Sequence, residues 1–146
     1  MDELLRMLEL GGQGFHCSQI LIMMGLETQG KQNPDLVRAM EGLAGGVGFS
    51  GDMCGALTGG ACLLALYAGR GEPEEEQDQR LNPMIDSLME WFSEEYSICF
   101  GGIHCTEIIG DNPANQLSRC PKIVSGTFDK VKSLLLENGF DLSGKR

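Results

Sequence analysis

The chain predicts an all-α fold, a compact helical bundle of about five to seven helices with one glycine-rich loop. Three observations carry that expectation. Apolar residues recur at helical spacing in most segments, as in Leu36, Val37, Met40 and Leu43. No segment shows the sustained apolar–polar alternation of a half-buried strand. Helix start and stop signals punctuate the chain, as at Asn33-Pro34 and Asn138-Gly139. With 146 residues and a globular 42% hydrophobic content, residues 1–146 fit a single domain around one core.

Leu4, Leu5, Leu8 and Leu10 predict a short opening helix that stops at Gly11 and Gly12. Phe15 to Leu26 follows, with Ile20, Leu21, Met23 and Met24 on a broad apolar face. Asn33 then caps a helix whose first position is Pro34, where the missing N–H costs nothing. In GLAGGVGFSGDMCGALTGG, glycines stand at 42, 45, 46, 48, 51, 55, 59 and 60. So many glycines cost too much backbone entropy for one helix, so the part before Asp52 predicts a loop. After Asp52 a helix runs through Ala61, Leu63, Leu64 and Leu66 to Gly69. Gly55 and Gly59, one turn apart on it, leave room for another backbone to approach.

Glu72 to Gln79 predicts a solvated acidic segment, with Pro73 opening a helix and Glu74 to Glu76 at its positive end. Asn82-Pro83 interrupts or kinks that helix, and Met84, Leu88, Trp91 and Phe92 form a core-facing stripe. A glycine turn at Gly101-Gly102 leads into His104-Cys105 and a short helical piece ending at Ile109. After the Gly110-Asp111-Asn112-Pro113 turn, Cys120-Pro121 opens the last helix, with Cys120 as its N-cap. Ile123, Val124, Phe128, Val131 and Leu135 face its core side, and Asn138-Gly139 closes it.

The formal net charge of -10 argues against nucleic acid as a partner, because phosphates repel such a surface. The segment MDELLRMLEL carries Asp2, Glu3 and Glu9, unlike the basic start of a secretory signal. Ala61 to Ala68 is the longest apolar region, too short for the roughly 20 residues that span a bilayer. The expected compartment is therefore the cytoplasm. In that reducing setting six cysteines point to metal binding, thiol chemistry or burial, not to structural disulfides.

Four of the six lie at predicted helix starts: Cys17, Cys54, Cys105 and Cys120. Unpaired N–H groups and the positive end of the helix dipole favour thiolate there, the form that metals and disulfide exchange both require. Cys62, among Ala61, Leu63 and Leu64, reads as a buried hydrophobe, and Cys99 near a helix end reads as packing. No pair has CxxC spacing, which removes the simple thioredoxin and zinc-ribbon readings and a c-type haem site. His16 and His104 each precede a candidate cysteine and read first as loop histidines. Gly46 to Gly51 spells GxGxxG, yet a helical segment precedes it where a dinucleotide site needs a strand. The eight methionines fall in helical stripes as core filler, and no nucleophile–His–acid triad is legible.

The ordered set Gly14-Phe15-His16-Cys17-Ser18-Gln19, Met53-Cys54-Gly55-Ala56-Leu57-Thr58-Gly59-Gly60, Cys105-Thr106-Glu107 and Cys120-Pro121 resembles the C_GCAxxG_C_C family of redox-active proteins. The likeness runs from about Gly14 to the start of the final helix. It implies a helical bundle and a redox role for Cys17, Cys54, Cys105 and Cys120, with Cys62 and Cys99 outside the set.

Three functions are then expected, in order. The first is an iron–sulfur or related metal site with those four thiolates as ligands, for electron transfer or redox sensing. Glycine-loop N–H groups would bond to the sulfurs, with Gly51 and Gly55 as the cofactor-contacting positions. The second is a metal-free thiol–disulfide protein with Cys54 as nucleophile and another of the four resolving it. The third is a structural zinc or adaptor protein with a closed four-cysteine site. The expected partner is a redox protein or a small redox-active molecule, and the glycine-rich faces allow a homodimer.

Overall fold

The computed structural model describes residues 2–145. Among them are seven α-helices, and they form no strand ladder beyond one isolated antiparallel bridge between Met53 and His104. The helices are α1 (Glu3–Gly12), α2 (Cys17–Thr28), α3 (Pro34–Met40), α4 (Gly55–Ala68), α5 (Leu81–Phe92), α6 (Cys105–Ile109) and α7 (Asn115–Glu137). A 3-10 turn, Glu41–Leu43, leaves α3, and a π-helical turn, Ser93–Ser97, extends α5 into a last turn at Ile98–Phe100. No helix among the described residues is long and apolar enough to cross a membrane.

The two most apolar helices, α2 and α4, lie side by side at the centre. Small residues set how closely they approach. A Cβ on Gly59 would stand 3.0 Å from the Ser18 Cα, and one on Gly25 would collide with Leu63. The close approach expected of the α4 glycines is thus made within the chain, by α2. Ser18, fully buried, donates its hydroxyl to the Met40 carbonyl at 2.8 Å, and Gln19 donates to the Val37 carbonyl at 3.2 Å. These bonds pin α3 to α2 while satisfying buried polar groups. Against the other face of α4 pack α5 and α7, through Leu88, Phe92, Phe128 and Val131, all essentially inaccessible.

Local signals account for the helix ends. Asp2 caps α1 through a 3.0 Å bond from the Leu4 N–H, and Asn33 caps α3 through one of 3.1 Å from Leu36. Three expectations are corrected. The acidic stretch 72–79 opens no helix; Asp78 instead accepts from the Arg80 N–H at 2.9 Å, and α5 begins at Leu81. Pro83 neither kinks nor interrupts a helix, because it falls in the first turn of α5, where no N–H is needed. Pro121 does not open the last helix, which starts at Asn115 after the turn at Pro113, so Pro121 is interior. Its ring removes the N–H that would serve the Leu117 carbonyl. Leu117 is exposed, so water can reach the carbonyl left without that partner.

Candidate thiol site

Three of the four cysteines do start helices. Cys17 and Cys105 occupy the first positions of α2 and α6, behind His16 and His104 as N-caps, and Cys54 is the N-cap of α4. The two His-Cys starts share a device. Gln19 Oε1 accepts from the His16 N–H at 3.1 Å, and Glu107 Oε1 accepts from the His104 N–H at 3.1 Å. His-Cys-Ser-Gln and His-Cys-Thr-Glu are thus two copies of one capping pattern, with the acceptor at the third helical residue. Both histidines are cap residues. His104 Nδ1 also lies 2.7 Å from Glu107 Oε1, and Nε2 lies 3.8 Å from Asp52 Oδ1.

The fourth, Cys120, is not at a helix start. It lies in the body of α7, the second turn, because that helix begins earlier than Pro121 suggests. The short helix α6 is tied to α7 by Asn115 Nδ2 donating to the Ile109 carbonyl at 2.8 Å, and by Arg119 Nη1 donating to the Ile108 carbonyl at 2.6 Å. Those bonds fix Cys120 relative to Cys105. The Met53–His104 bridge does the same for Cys54: its N–H donates to the Ile103 carbonyl at 3.0 Å, and the Cys105 N–H donates to the Asp52 carbonyl at 2.7 Å. Cys17 closes the set from α2. Its sulfur lies 2.6 Å from where a Cβ on Gly55 would stand, so only glycine fits beside Cys54 there.

The four thiols lie near enough for their charges to act on one another. Burial pushes the Cys54 thiol up to about 12, and a charge on Cys17 and on Cys120 pushes the same way. Burial likewise takes Cys120 to about 12, reinforced by Cys17 and Cys105. Cys17 is raised by burial and by Cys105, with the Gly45 amide facing its sulfur and opposing. Cys105 is raised by burial. The thiolate expected from helix-start placement is therefore overturned for the free site, because desolvation outweighs the N–H groups of the helix starts. At Cys54 the opposing groups are the amides of Ala56 and Leu57.

All six cysteines are free thiols. Cys62 sits in mid-α4, half-buried, raised by burial with no thiol acting on it. Cys99 is exposed and its thiol leans on the Glu95 carbonyl at 3.6 Å. Among the described residues no three His, Cys, Asp or Glu side chains are placed to hold one metal ion. Gly51, with φ +81°, packs on Thr106, whose N–H and hydroxyl donate to the Gly51 carbonyl at 3.3 and 3.0 Å. Tyr96, in the π-helical turn, is an unforeseen neighbour: its phenol is pushed up to about 12 by burial, then by Glu95 and Cys54. The signal available for it was weak, a tyrosine in a glutamate-rich helix end.

No curated protein and no solved structure matches the chain. A family model does, over residues 15–134, the one described as "Putative redox-active protein (C_GCAxxG_C_C)". That span begins two residues before Cys17 and contains all four converging cysteines. The chain belongs to the C_GCAxxG_C_C redox-active protein family.

Proposed function

We propose that Cys17, Cys54, Cys105 and Cys120 are the ligands of an iron–sulfur cluster, through which the chain transfers single electrons or senses redox state. One observation carries this reading. Four thiols from four segments share a place where burial, and for three of them a neighbouring thiol, opposes ionisation. Such a set rests as neutral thiols, or as thiolates around positive charge that replaces the lost solvation. Four thiolates are the usual complement for [2Fe–2S] or [4Fe–4S]. When bound, a cluster supplies the one-electron couple.

The chain's own groups have defined tasks in this reading. The amides of Gly45, Ala56 and Leu57 face the sulfurs of Cys17 and Cys54 and stabilise their negative charge. Gly55 lets Cys17 reach Cys54, and Gly51 holds the loop on Thr106 beside Cys105. A single zinc ion would hold its sulfurs at about 2.3 Å, and among the described residues no three such side chains are placed to hold one ion. The electron partner is a redox protein or small redox-active molecule, and the net charge of -10 favours a basic one. A reducing compartment such as the cytoplasm suits six free thiols.

The contact of Cys17 with the Cys54–Gly55 corner supports a second reading, a reversible disulfide between Cys17 and Cys54. The two thiols would give two protons and two electrons to a partner disulfide, which becomes a dithiol. Iron and acid-labile sulfide analysis after anaerobic purification and reconstitution separates the two. Stoichiometric iron and sulfide are expected. Absence of both, with loss of two reactive thiols on mild oxidation, overturns the cluster in favour of the disulfide.

A further inference from the structure

Residues 45–49 form a left-handed turn beside the thiols. Gly45, Gly46, Val47, Gly48 and Phe49 have φ of 65°, 75°, 64°, 62° and 61°. Glycine enters this region freely, whereas each other L-residue pays about 1–2 kcal/mol there. Among the described residues Val47 and Phe49 are the non-glycine residues with positive φ, and both side chains are at least half exposed. Core burial therefore does not offset the strain. The turn is held by its own bonds: the Phe49 N–H donates to the Ala44 carbonyl at 2.9 Å, and the Ser50 hydroxyl donates to the Gly46 carbonyl at 2.8 Å.

What Phe49 does touch is informative. Its ring lies directly on Gly45, the residue whose amide faces the Cys17 sulfur. On the other side it meets the His16 ring edge-on, at 5.1 Å between centroids and 76°. His16 is the cap that immediately precedes Cys17. Gly55 lies against the Cys17 sulfur, while Phe49 packs on Gly45 and on His16, the residue next to Cys17 in the chain. We propose that Phe49 is a gate, kept over Cys17 by the strained turn, that sets which reagents reach the thiol site and swings away when the turn relaxes. The proposal rests on Cys17 belonging to that site, and its test measures access alone.

The test is site-resolved alkylation of the full-length chain, reduced and chelated at pH 8, with iodoacetamide and with a bulky polyethylene-glycol maleimide. Phe49→Gly keeps the backbone conformation available and removes the ring. Cys17 labelling by iodoacetamide is expected to rise about ten-fold, with a larger rise for the bulky reagent and Cys105 within about two-fold of wild type. Phe49→Tyr restores the wild-type rate. Val47→Gly, the same kind of change in the same turn, leaves Cys17 within about two-fold of wild type. If Phe49→Gly unfolds the chain, all six thiols label together, and Phe49→Leu then takes its place with an intermediate rise at Cys17. Equal Cys17 rates in wild type and the folded Phe49 variant overturn the gate, as does an equal rise in Val47→Gly. Iron binding is measured separately, so a failed gate leaves the ligand assignment standing and a failed ligand assignment leaves the access result readable.

Discussion

The Cys17 sulfur lies 2.6 Å from the position a Cβ would take on Gly55, so the second residue of the Cys54-Gly55-Ala56 motif is the floor under a cysteine thirty-eight positions earlier. The motif glycine thereby acts on the site through space. Gly55→Ala forces the sulfur or α2 outward. Overpacking of this kind costs about 1–3 kcal/mol, partly offset by alanine's better helix propensity. Urea unfolding is expected to show a net loss of about 1–2 kcal/mol, and the Cys17 thiol to become more reactive.

Gly51 carries two separable demands, a φ of +81° and a methyl-sized contact with Thr106. Gly51→Ala is expected to cost about 2–4 kcal/mol, the sum of a left-handed penalty and a clash. Adding Thr106→Ser removes the obstructing methyl while keeping the hydroxyl that donates to the Gly51 carbonyl at 3.0 Å. The double variant should recover at least about 1 kcal/mol of the loss, read as a coupling energy in a double-mutant cycle. Strict additivity would show that the contact does not govern this corner.

Thr127 is completely buried with no hydrogen-bond partner for its hydroxyl among the described residues, and its methyl packs near Gly60 across the α4–α7 contact. Valine keeps the shape and drops the unpaired oxygen. Thr127→Val is therefore expected to raise stability by about 1 kcal/mol, seen as a higher urea midpoint at unchanged slope. A loss of that size would mean that the hydroxyl has a partner in solution.

Free thiols make the reduced, metal-free chain sensitive to alkali. Cys54 and Cys120 are raised from an ordinary 9.0 to about 12 by burial and by neighbouring thiols. Between those values the unfolded chain has released these protons and the folded chain still holds them, so unfolding gains as pH rises. The contribution is intact below about pH 9 and lost as pH climbs toward 12. Urea midpoints should fall between pH 8.5 and about 10.5, and less steeply in Cys54→Ala/Cys120→Ala. Tyr96 and Tyr67, both raised chiefly by burial, maintain part of the slope in that variant.

The helices were legible in sequence because their signals are local. Asn33-Pro34 specifies a cap and a first position within two residues, and Leu88 with Phe92 repeats at one turn. The start of α7 escapes such signals: Cys120-Pro121 has the local form of a helix opening, yet the tertiary contacts of Asn115 and Arg119 with α6 extend the helix past it. The order of the cysteines and the motif around Cys54 are readable in the sequence. The contact that brings Cys54 near Cys105 is not, because the Met53–His104 bridge pairs residues fifty-one positions apart and carries no pattern. Their protonation differs from the sequence expectation because helix-end amides are visible in sequence and desolvation is not.

The central claim is that Cys17, Cys54, Cys105 and Cys120 form one ligand set. Its most direct test is iron and sulfide content, after identical anaerobic reconstitution, of the six single Cys→Ser variants. Cys62→Ser and Cys99→Ser should bind as much iron as wild type, and each of the other four should lose most of it. Full iron content in any two of those four, or none in wild type, would contradict the account.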